Sequence, residues 1–420
     1  MAPLTILVGE NSSGKSTFLA LVRLAWDLAA GTVSSNLKLD FNEEPFLLGS
    51  YDQIATYRGG QAGRAPQFSI GMRVDHLHEP GDESPADLIG TFEANGSQPI
   101  LKKWSLSTNS YRISFEESPD QGFSKCSIEV PSGDLEIKAD EFKLSELPLG
   151  GFLELVHNQL TITSSVKVFD INGTIDADDL RKPLRFEEWI SSSLGPRPYA
   201  FAPIRTRPQR TYDPLKETAT PEGSHVPMIL ARTFSGDPPT WNRLTKLLDG
   251  FGRASGLFRA VKVRRLGRKE GDPFQIQVSI AGPPFNLMDV GYGVSQVLPI
   301  VVDCLRGEPK GTYLLQQPEV HLHPKAQAEL GSFLGALAKE QEKRFVIETH
   351  SDYLLDRIRT DVREGKHLRA QDVSILYFER RNGGVHIHSL SLDETGNLRN
   401  APSHYRRFFM EEERRFVGAK

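Results

Sequence analysis

The stretch Leu4-Thr-Ile-Leu-Val-Gly9-Glu-Asn-Ser-Ser-Gly14-Lys15-Ser16 decides the fold of this chain. Residues 4–8 form a short apolar run of the kind found in buried parallel strands. A Gly/Ser-rich turn follows, and residues 17–30 then carry apolar side chains at helical spacing before Gly31, a plausible helix stop. Strand, glycine-rich turn and helix in this order predict an α/β domain.

The turn fits the phosphate-loop pattern Gly-x-x-x-x-Gly-Lys-Ser without a gap, and an ordinary Gly/Ser turn is the alternative. In a phosphate loop, successive backbone N–H groups face the phosphates, and the following helix N-terminus adds positive potential. We expect Lys15 to neutralise the β- and γ-phosphate oxygens and the Ser16 hydroxyl to ligate Mg²⁺. The sequence therefore predicts an ATP and Mg²⁺ site formed by Gly9, Asn11, Ser12, Ser13, Gly14, Lys15, Ser16 and Thr17.

The bulk composition predicts a soluble chain with a packed core. The 420 residues are 38 % hydrophobic and 25 % charged, with a net charge of −4, which excludes wholesale disorder and a surface coated for nucleic acid. Cys126 and Cys304 cannot form a disulfide framework, and we interpret both as structural thiols. No apolar run reaches the roughly 18–20 residues that span a bilayer, and no signal peptide is recognisable. We therefore expect a cytoplasmic protein without membrane contact.

The chain changes character twice. Between residues 67 and 168 apolar and polar residues alternate between turn clusters, which predicts a mostly antiparallel β region with a strand at 160–168. The last third alternates between strands and helices again, with helices expected at 324–343 and 352–359. We therefore expect one parallel sheet assembled from distant segments. We divide the chain into an N-terminal part of the core at 1–60, a β-rich insertion at 61–198 and a C-terminal part of the core at 199–420.

An apolar strand at residues 312–315 ends in the polar stretch Gln316-Gln317-Pro-Glu319, before a proline opens the next helix. In a phosphate-loop ATPase this position normally supplies a carboxylate for Mg²⁺ or for the attacking water. The histidines that follow, His321 and His323, allow a zinc pair as an alternative, although no cysteine lies near them. Otherwise they shape the turn.

Two further segments are candidates for ligand contact. Gly291-Tyr-Gly293-Val-Ser295 is a glycine-rich turn entering a helix, with a serine that we expect to be exposed at an anion-binding helix end. This pattern is weak alone, because many turns contain Gly-x-Gly. Thr349-His350-Ser351 follows the buried strand of residues 344–348, at the sheet edge where ligands bind in α/β folds. A lone histidine there can equally be a bystander.

Together these four segments resemble the ABC ATPase family, and more closely its overcoming-lysogenisation-defect (OLD-like) branch and related ATPases of antiphage defence operons. The resemblance covers about residues 2–57 and 199–409, whereas the middle β region is matched only in its placement. It implies an ABC-type P-loop ATPase head with a mixed or parallel central sheet and an antiparallel β insertion. The segments that carry it are the phosphate loop, Phe46-Leu-Leu-Gly-Ser-Tyr51, Pro203-Ile-Arg205, Gly291-Tyr-Gly-Val-Ser-Gln296, Gln317-Pro-Glu-Val-His-Leu-His-Pro324 and Thr349-His350-Ser351.

The resemblance implies a composite site. In such proteins, ATP on the phosphate loop of one subunit is sandwiched by the signature loop of its partner, here Gly293 and Ser295. His350 resembles the switch histidine that senses the γ-phosphate, and the implied catalytic group is completed by Gln316, Gln317 and Glu319. The implied protein is an ATPase that forms an ATP-dependent homodimer or higher homo-oligomer. It would act as the sensor or scaffold subunit of an antiphage defence complex and control a separate nuclease or toxin from a neighbouring gene.

Three departures from the family pattern matter. Relatives usually carry one more hairpin before the phosphate-loop strand. They also show at least one acid where this chain has Gln316-Gln317, so either hydrolysis is slow, with Glu319 helping, or Gln316 replaces a natural glutamate. After Phe378 only about 40 residues remain, too few for a Toprim-like nuclease domain. We therefore expect any effector activity to come from a separate partner.

Two other functions are left open. A RecF-like, ATP-gated DNA-binding protein of DNA repair or maintenance is one, because a stripe of basic residues could grip phosphates. A solvated hairpin face explains the stripe equally well. The other function, motivated by Gln316 and Gln317, is a nucleotide-locked scaffold without turnover. Arg205, Arg207 and Arg210 form a second basic group, although Arg205 could instead face the nucleotide or support the core. The stripe itself consists of Arg253, Arg259, Lys262, Arg264, Arg265, Arg268 and Lys269.

Overall fold

The chain folds into two compact units, one of Met1–Ser16 with Pro198–Lys420 and one of Thr17–Arg197. Each unit contains its own cluster of buried apolar side chains. A computed structural model describes residues 1–31, 39–59, 63–75, 85–118, 123–140, 166–170, 193–213, 218–269, 271–381, 384–402 and 405.

Helices and strands are numbered along the described chain. The helices are α1 (Lys15–Gly31), α2 (Tyr51–Ile54), α3 (Val226–Gly236), α4 (Pro238–Ser255), α5 (Tyr292–Arg306), α6 (Pro324–Glu340) and α7 (Asp352–Arg363). The strands are β1 (Leu4–Gly9), β2 (Tyr57–Gly59), β3 (Gly63–Arg64), β4 (Gln67–Val74), β5 (Ala86–Asn95), β6 (Gln98–Ser107), β7 (Arg112–Ser118), β8 (Phe123–Val130), β9 (Gly133–Asp140), β10 (Val166–Asp170), β11 (Tyr199–Phe201), β12 (Ala260–Arg265), β13 (Phe274–Ser279), β14 (Phe285–Asn286), β15 (Thr312–Gln316), β16 (Arg344–Glu348), β17 (Val373–Arg381), β18 (Gly384–Leu392) and β19 (Leu398–Arg399).

The first unit is built on a seven-stranded sheet in the order β11-β15-β16-β1-β17-β18-β19. The neighbours from β11 to β17 run parallel, and β18 and β19 continue the sheet antiparallel. Leu4 of β1 pairs with Phe345 of β16 on one side and with Val373 of β17 on the other. The predicted α/β fold, with a mixed and mainly parallel sheet drawn from distant segments, is confirmed.

The central strands show the burial typical of a parallel sheet. Leu4, Ile6 and Leu7 of β1 are fully buried, and β15 and β16 are buried at every residue except the first, as expected for strands covered on both faces. On α6, Ala326, Leu330 and their neighbours one turn apart face the core, and Pro324 occupies the first turn. A small sheet, β12-β13-β14, completes this unit.

The second unit contains the predicted antiparallel region. Seven strands follow one another in the order β10-β9-β8-β7-β6-β5-β4, each antiparallel to its neighbour. Leu28 of α1 shares a buried cluster with Phe92 and Trp104 of this sheet. A β carbon on Gly90 of β5 would lie 3.0 Å from the Leu28 side chain, so the glycine permits this close packing. The predicted strand at 160–168 begins outside the described residues.

Two smaller predictions concern single segments. Cys304 is a buried free thiol, as predicted, while the side chain of Cys126 lies outside the described part of the chain. Within the described residues, no helix combines the length and apolar character that a membrane crossing requires.

Candidate functional site

The loop after β1 has a backbone that only certain residues accept. Gly9, Ser12 and Gly14 have φ angles of 142°, 59° and 91°. A β carbon at Gly9 would lie 2.3 Å from the carbonyl oxygen of Phe378 on β17. Glycine is therefore required where β1 ends, because any side chain would collide with the adjacent strand. The loop then turns into α1 at Lys15.

Lys15 lies across this loop. Its side chain is only 2 % exposed, and its ammonium group donates to the carbonyl oxygens of Gly9 at 3.1 Å and Glu10 at 2.6 Å. The Ser13 hydroxyl donates to the same Glu10 oxygen at 2.7 Å. Burial lowers the pKa of Lys15, and the carboxylates of Glu348 and Glu10 oppose that shift. A buried cation held only by neutral carbonyls would find a stronger partner in a phosphate oxygen.

Ser16 contacts an acid that our sequence prediction left without a role. Its hydroxyl donates to Oε2 of Glu348 at 2.6 Å. Glu348 is the last residue of β16 and is 5 % exposed. The signal available in the sequence was a lone acid that ends an apolar strand directly before Thr349-His350.

The two predicted glutamines lie beside Glu348 at the same sheet edge. Gln316 ends β15 in register with Glu348 and is buried. Gln317 adopts a φ of 42°, and its backbone N–H donates to the Glu348 carbonyl oxygen at 2.8 Å. The backbone therefore leaves β15 in a tight turn directly beside the end of β16.

Glu319 and His350 also meet at this edge. Oε1 of Glu319 accepts the backbone N–H of His350 at 2.9 Å, and burial raises the pKa of this carboxyl group despite that bond. The His350 side chain is exposed. Burial of part of its ring and the nearby Lys15 charge lower the His350 pKa, while Glu348 acts in the opposite sense. The structure thus brings Lys15, Ser16, the two glutamines, Glu319 and His350 to one edge of the sheet.

Arg205 supports this edge from the core. It is 1 % exposed, and its Nη2 donates to the backbone oxygen of Gln316 at 3.3 Å. Burial lowers its pKa to about 10, although the charge of Glu319 favours the protonated form. Of the two roles left open, the core role fits its burial. Arg210 forms an ion pair with Asp289 at 2.6 Å.

The signature segment opens α5. Ser295 was expected to be exposed, which is wrong: it is 5 % exposed, and its hydroxyl donates to the Tyr292 carbonyl oxygen at 2.8 Å. The serine side chain is therefore bonded back onto the first turn of its own helix. A β carbon on Gly293 would lie 2.6 Å from the backbone oxygen of His321. Among the described residues, no hydrogen bond joins Gly293 or Ser295 to the phosphate loop.

The zinc alternative for His321 and His323 finds no support in the geometry. Nδ1 of His323 accepts the Lys325 backbone N–H at 3.3 Å and so caps α6. The His321 ring stands edge-on to Tyr292. Within the part of the chain that the structure describes, neither histidine belongs to a group of three potential metal ligands. Both residues shape the turn between β15 and α6.

The basic stripe lies partly on β12, at the edge of the small sheet. Lys262 and Arg264 are exposed on one face of the strand, while Val261 is buried on the other. Arg253 donates to the backbone oxygen of Arg259 at 3.3 Å, and Arg265 contacts the Ser235 hydroxyl. Within the stripe, Arg253 and Arg265 therefore contact other residues of the fold, while Lys262 and Arg264 are exposed to solvent.

A protein-family model described as "AAA domain, putative AbiEii toxin, Type IV TA system" matches residues 169–356. The match covers less than half of the chain. It includes Gln316, Glu319 and His350 but not the phosphate loop. A search of curated proteins finds no match. The family match and the geometry of the loop together support a P-loop ATPase.

Several solved structures match this chain at low identity and low TM-score. An SMC head bound to the C-winged helix domain of ScpA has 12 % identity and a TM-score of 0.38 over 94 % of this chain and 91 % of that chain. An SMC head with an extended coiled coil, bound to the C-terminal domain of ScpA from Pyrococcus furiosus, has 11 % identity and a TM-score of 0.38. That match covers 98 % of this chain and 93 % of the other chain. The SMC head domain from Thermotoga maritima has 12 % identity and a TM-score of 0.30 over 91 % of this chain and 89 % of that chain. Similarity at this level establishes neither a shared activity nor a shared partner.

Proposed function

We propose that this chain is an ABC-type ATPase that binds ATP and Mg²⁺ between two copies of itself. In a defence complex it would serve as the sensor or scaffold subunit and control a separate nuclease or toxin. The observation that carries the ATPase proposal is the buried Lys15 ammonium group, which only neutral carbonyl oxygens of its own loop contact as hydrogen-bond acceptors within the described chain. The defence role rests on the resemblance of the motifs and on the toxin–antitoxin character of the matching family.

The loop offers what a triphosphate requires. Backbone N–H groups between Gly9 and Ser16 can donate to phosphate oxygens, and the start of α1 adds positive potential. Lys15 would leave the carbonyl oxygens of Gly9 and Glu10 and bind the β- and γ-phosphates. His350, exposed and near the Lys15 charge, would contact the γ-phosphate. These residues would bind and orient the nucleotide.

The residues at this edge also fit Mg²⁺. Mg²⁺ prefers oxygen ligands, and the Ser16 hydroxyl lies among oxygen donors. The bound ion would neutralise the charge that develops on the phosphates. Glu319, whose raised pKa favours proton uptake, would accept a proton from the attacking water.

The partner protomer would complete the site. The support for this role is the resemblance of Gly293 and Ser295 to the signature loop, which in such proteins contacts ATP on the phosphate loop of the partner. The start of α5 would place its N-terminal backbone N–H groups on the γ-phosphate bound to that copy. ATP would then hold two protomers together head to tail, and hydrolysis would release them.

Two variants test this proposal. We expect Lys15→Ala to abolish ATP binding, because the buried cation is lost. We expect Ser295→Arg to leave ATP binding within about twofold of the original, since the nucleotide of the same protomer does not use this position, and its dimer should be lost. Because Ser295 is buried, urea unfolding of the variant serves as the control for a folding defect. Fluorescent-nucleotide titration and light scattering with ATP and Mg²⁺ measure the two outcomes. A Ser295→Arg chain that still dimerises on ATP would contradict the composite site.

ATP-gated DNA binding is a second candidate, favoured by the exposed Lys262 and Arg264 on β12. It predicts affinity for duplex DNA that rises with ATP and falls steeply with salt. Replacing both residues by glutamate should then weaken DNA binding at least about tenfold at low salt, whereas Lys246→Glu on α4 should have little effect. Equal binding by both variants, or no ATP dependence, would exclude this role for the stripe.

A further inference from the structure

The strand end that was expected to carry a carboxylate for Mg²⁺ carries Gln316 and Gln317 instead. We propose that Glu348, at the end of the neighbouring strand β16, supplies this carboxylate. The inference rests on the ATP–Mg²⁺ site proposed for the phosphate loop. It assigns the metal-binding acid to a residue that the sequence motifs left without a role.

The sheet order explains how the acid can move by one strand. β16 lies between β15 and β1, so the strand that carries Glu348 is the direct neighbour of the strand that leads into the phosphate loop. Glu348 is in register with Gln316 on one side and with Leu7 on the other. Residues in register on parallel neighbours face the same side of a sheet, about 4.8 Å apart. The Glu348 carboxylate therefore lies on the same face as the Gln316 amide, but one strand closer to the loop.

The contact with Ser16 has the spacing of two metal ligands. Oγ of Ser16 and Oε2 of Glu348 are 2.6 Å apart. In an octahedral Mg²⁺ site with ligands at about 2.0–2.1 Å, adjacent oxygens are about 2.9 Å apart. The two oxygens would need to separate by only a few tenths of an ångström to share one ion. The serine hydroxyl is the group that ligates Mg²⁺ in P-loop proteins, so the acid hydrogen-bonded to it is next to the metal position.

The charge balance around Glu348 also favours a cation. The carboxylate is 5 % exposed, and no ion pair involves it within the described residues. Lys15 acts on it only at longer range, and that ammonium group donates to the loop carbonyls instead. A buried carboxylate is costly unless a positive charge compensates it, and a divalent ion beside Ser16 would do so.

The other acid at this edge is less suited to hold the ion. Oε1 of Glu319 is bound by the backbone N–H of His350, and its charge interacts with the buried Arg205. A glutamine side chain at position 316 or 317 offers only a neutral oxygen. Among these residues, Glu348 alone combines a negative charge with direct contact to the phosphate loop.

The test separates metal binding from nucleotide binding. ATP affinity is measured by titration with a fluorescent analogue, once in EDTA and once across a Mg²⁺ series. We expect Glu348→Gln to bind metal-free nucleotide with an affinity within about twofold of that of the original chain. The increase in nucleotide affinity that Mg²⁺ produces should require at least about tenfold more Mg²⁺ in this variant. Tenfold is the lower limit typical even for losing a group behind a metal ligand. Glu342→Gln, an exposed acid in the same unit, should behave like the original chain.

Moving the acid back provides a stricter comparison. The double variant Gln316→Glu with Glu348→Gln places the carboxylate one strand away in the same register and should recover part of the lost Mg²⁺ affinity. A Glu348→Gln chain with unchanged Mg²⁺ dependence would overturn the inference. An original chain that binds no nucleotide either in EDTA or with Mg²⁺ would instead contradict the proposed ATP site, so the two failures are distinguishable.

A second measurement needs no substitution and covers a variant that fails to fold. Fe²⁺ can replace Mg²⁺, and with ascorbate and peroxide it cleaves the backbone close to its own position. In the presence of ATP we expect cuts near Ser16 and Glu348. Cuts near Glu319 without cuts near Glu348 would place the ion on β15 and reject the assignment.

Discussion

At the scale of single residues, Gly9 shows how closely the loop is built onto the sheet. Its φ of 142° and the Phe378 carbonyl oxygen, 2.3 Å from where a β carbon would be, leave no room for a side chain. Gly9 is both the last residue of β1 and the first residue of the phosphate loop. Space and backbone conformation therefore demand the same residue.

We expect Gly9→Ala to lose ATP binding and to destabilise the fold by at least about 2 kcal/mol, the sum of a strained backbone and a steric clash. Gly236→Ala at the end of α3 is the matched control, because a β carbon there meets no atom within 4 Å. Nucleotide titration and urea unfolding of both variants measure the difference. Normal ATP affinity in Gly9→Ala would mean that the loop tolerates a shift of β17.

At the residue scale, the sequence shows only local patterns directly. Lys15 lies in a continuous motif, but its burial against the loop carbonyl oxygens was not predicted. The contact between Ser16 and Glu348 joins residues 332 positions apart, and only the sheet order brings them together. The buried state of Ser295 was missed for a similar reason, because its hydroxyl bonds within the first turn of α5 rather than pointing outward.

At the scale of elements, α4 contains two glycines with opposite surroundings. A β carbon on Gly252 would lie 2.3 Å from the Phe258 ring and 2.6 Å from the Phe258 carbonyl oxygen, whereas one on Gly250 would meet nothing within 4 Å. Both residues lie inside the same helix, Pro238–Ser255. The helix therefore packs tightly on one side and is open on the other.

We expect Gly252→Ala to lower the free energy of unfolding by about 1–3 kcal/mol, since the added methyl group displaces Phe258. Gly250→Ala should raise it by about 0.5–1 kcal/mol, because alanine favours a helix and nothing obstructs it. Urea unfolding curves measure both changes: if the m-values are equal, the shift of the midpoint gives the change in the free energy of unfolding. The same sign for the two variants would contradict this description of α4.

Elements were predictable where apolar periodicity is strong. The helix expected at 324–343 is observed as Pro324–Glu340, and the strand expected at 344–348 is observed as Arg344–Glu348. The helix expected at 352–359 continues to Arg363, because Asp361 and Val362 are buried and extend its inner face. A polar residue that is buried, such as Asp361, gives no apolar signal in the sequence.

At the scale of the whole molecule, the α/β class and the antiparallel region follow from alternation of residue types along the chain. The position of β1 in the middle of the sheet does not, because strand order depends on pairing between distant segments. The sequence implied one sheet from both chain ends but not which strand is adjacent to the loop. That order is what makes Glu348, rather than Gln316, the neighbour of Ser16.

The central place of β1 has a consequence for biosynthesis. Leu4 pairs with Phe345 and Val373, so on the ribosome the first strand emerges long before either partner has been translated. At about 5–20 residues per second, the delay is roughly 20–70 s. During that interval an apolar segment has no sheet to join and is a natural client for chaperones. A nascent chain can acquire affinity for nucleotide only after its final third has been made.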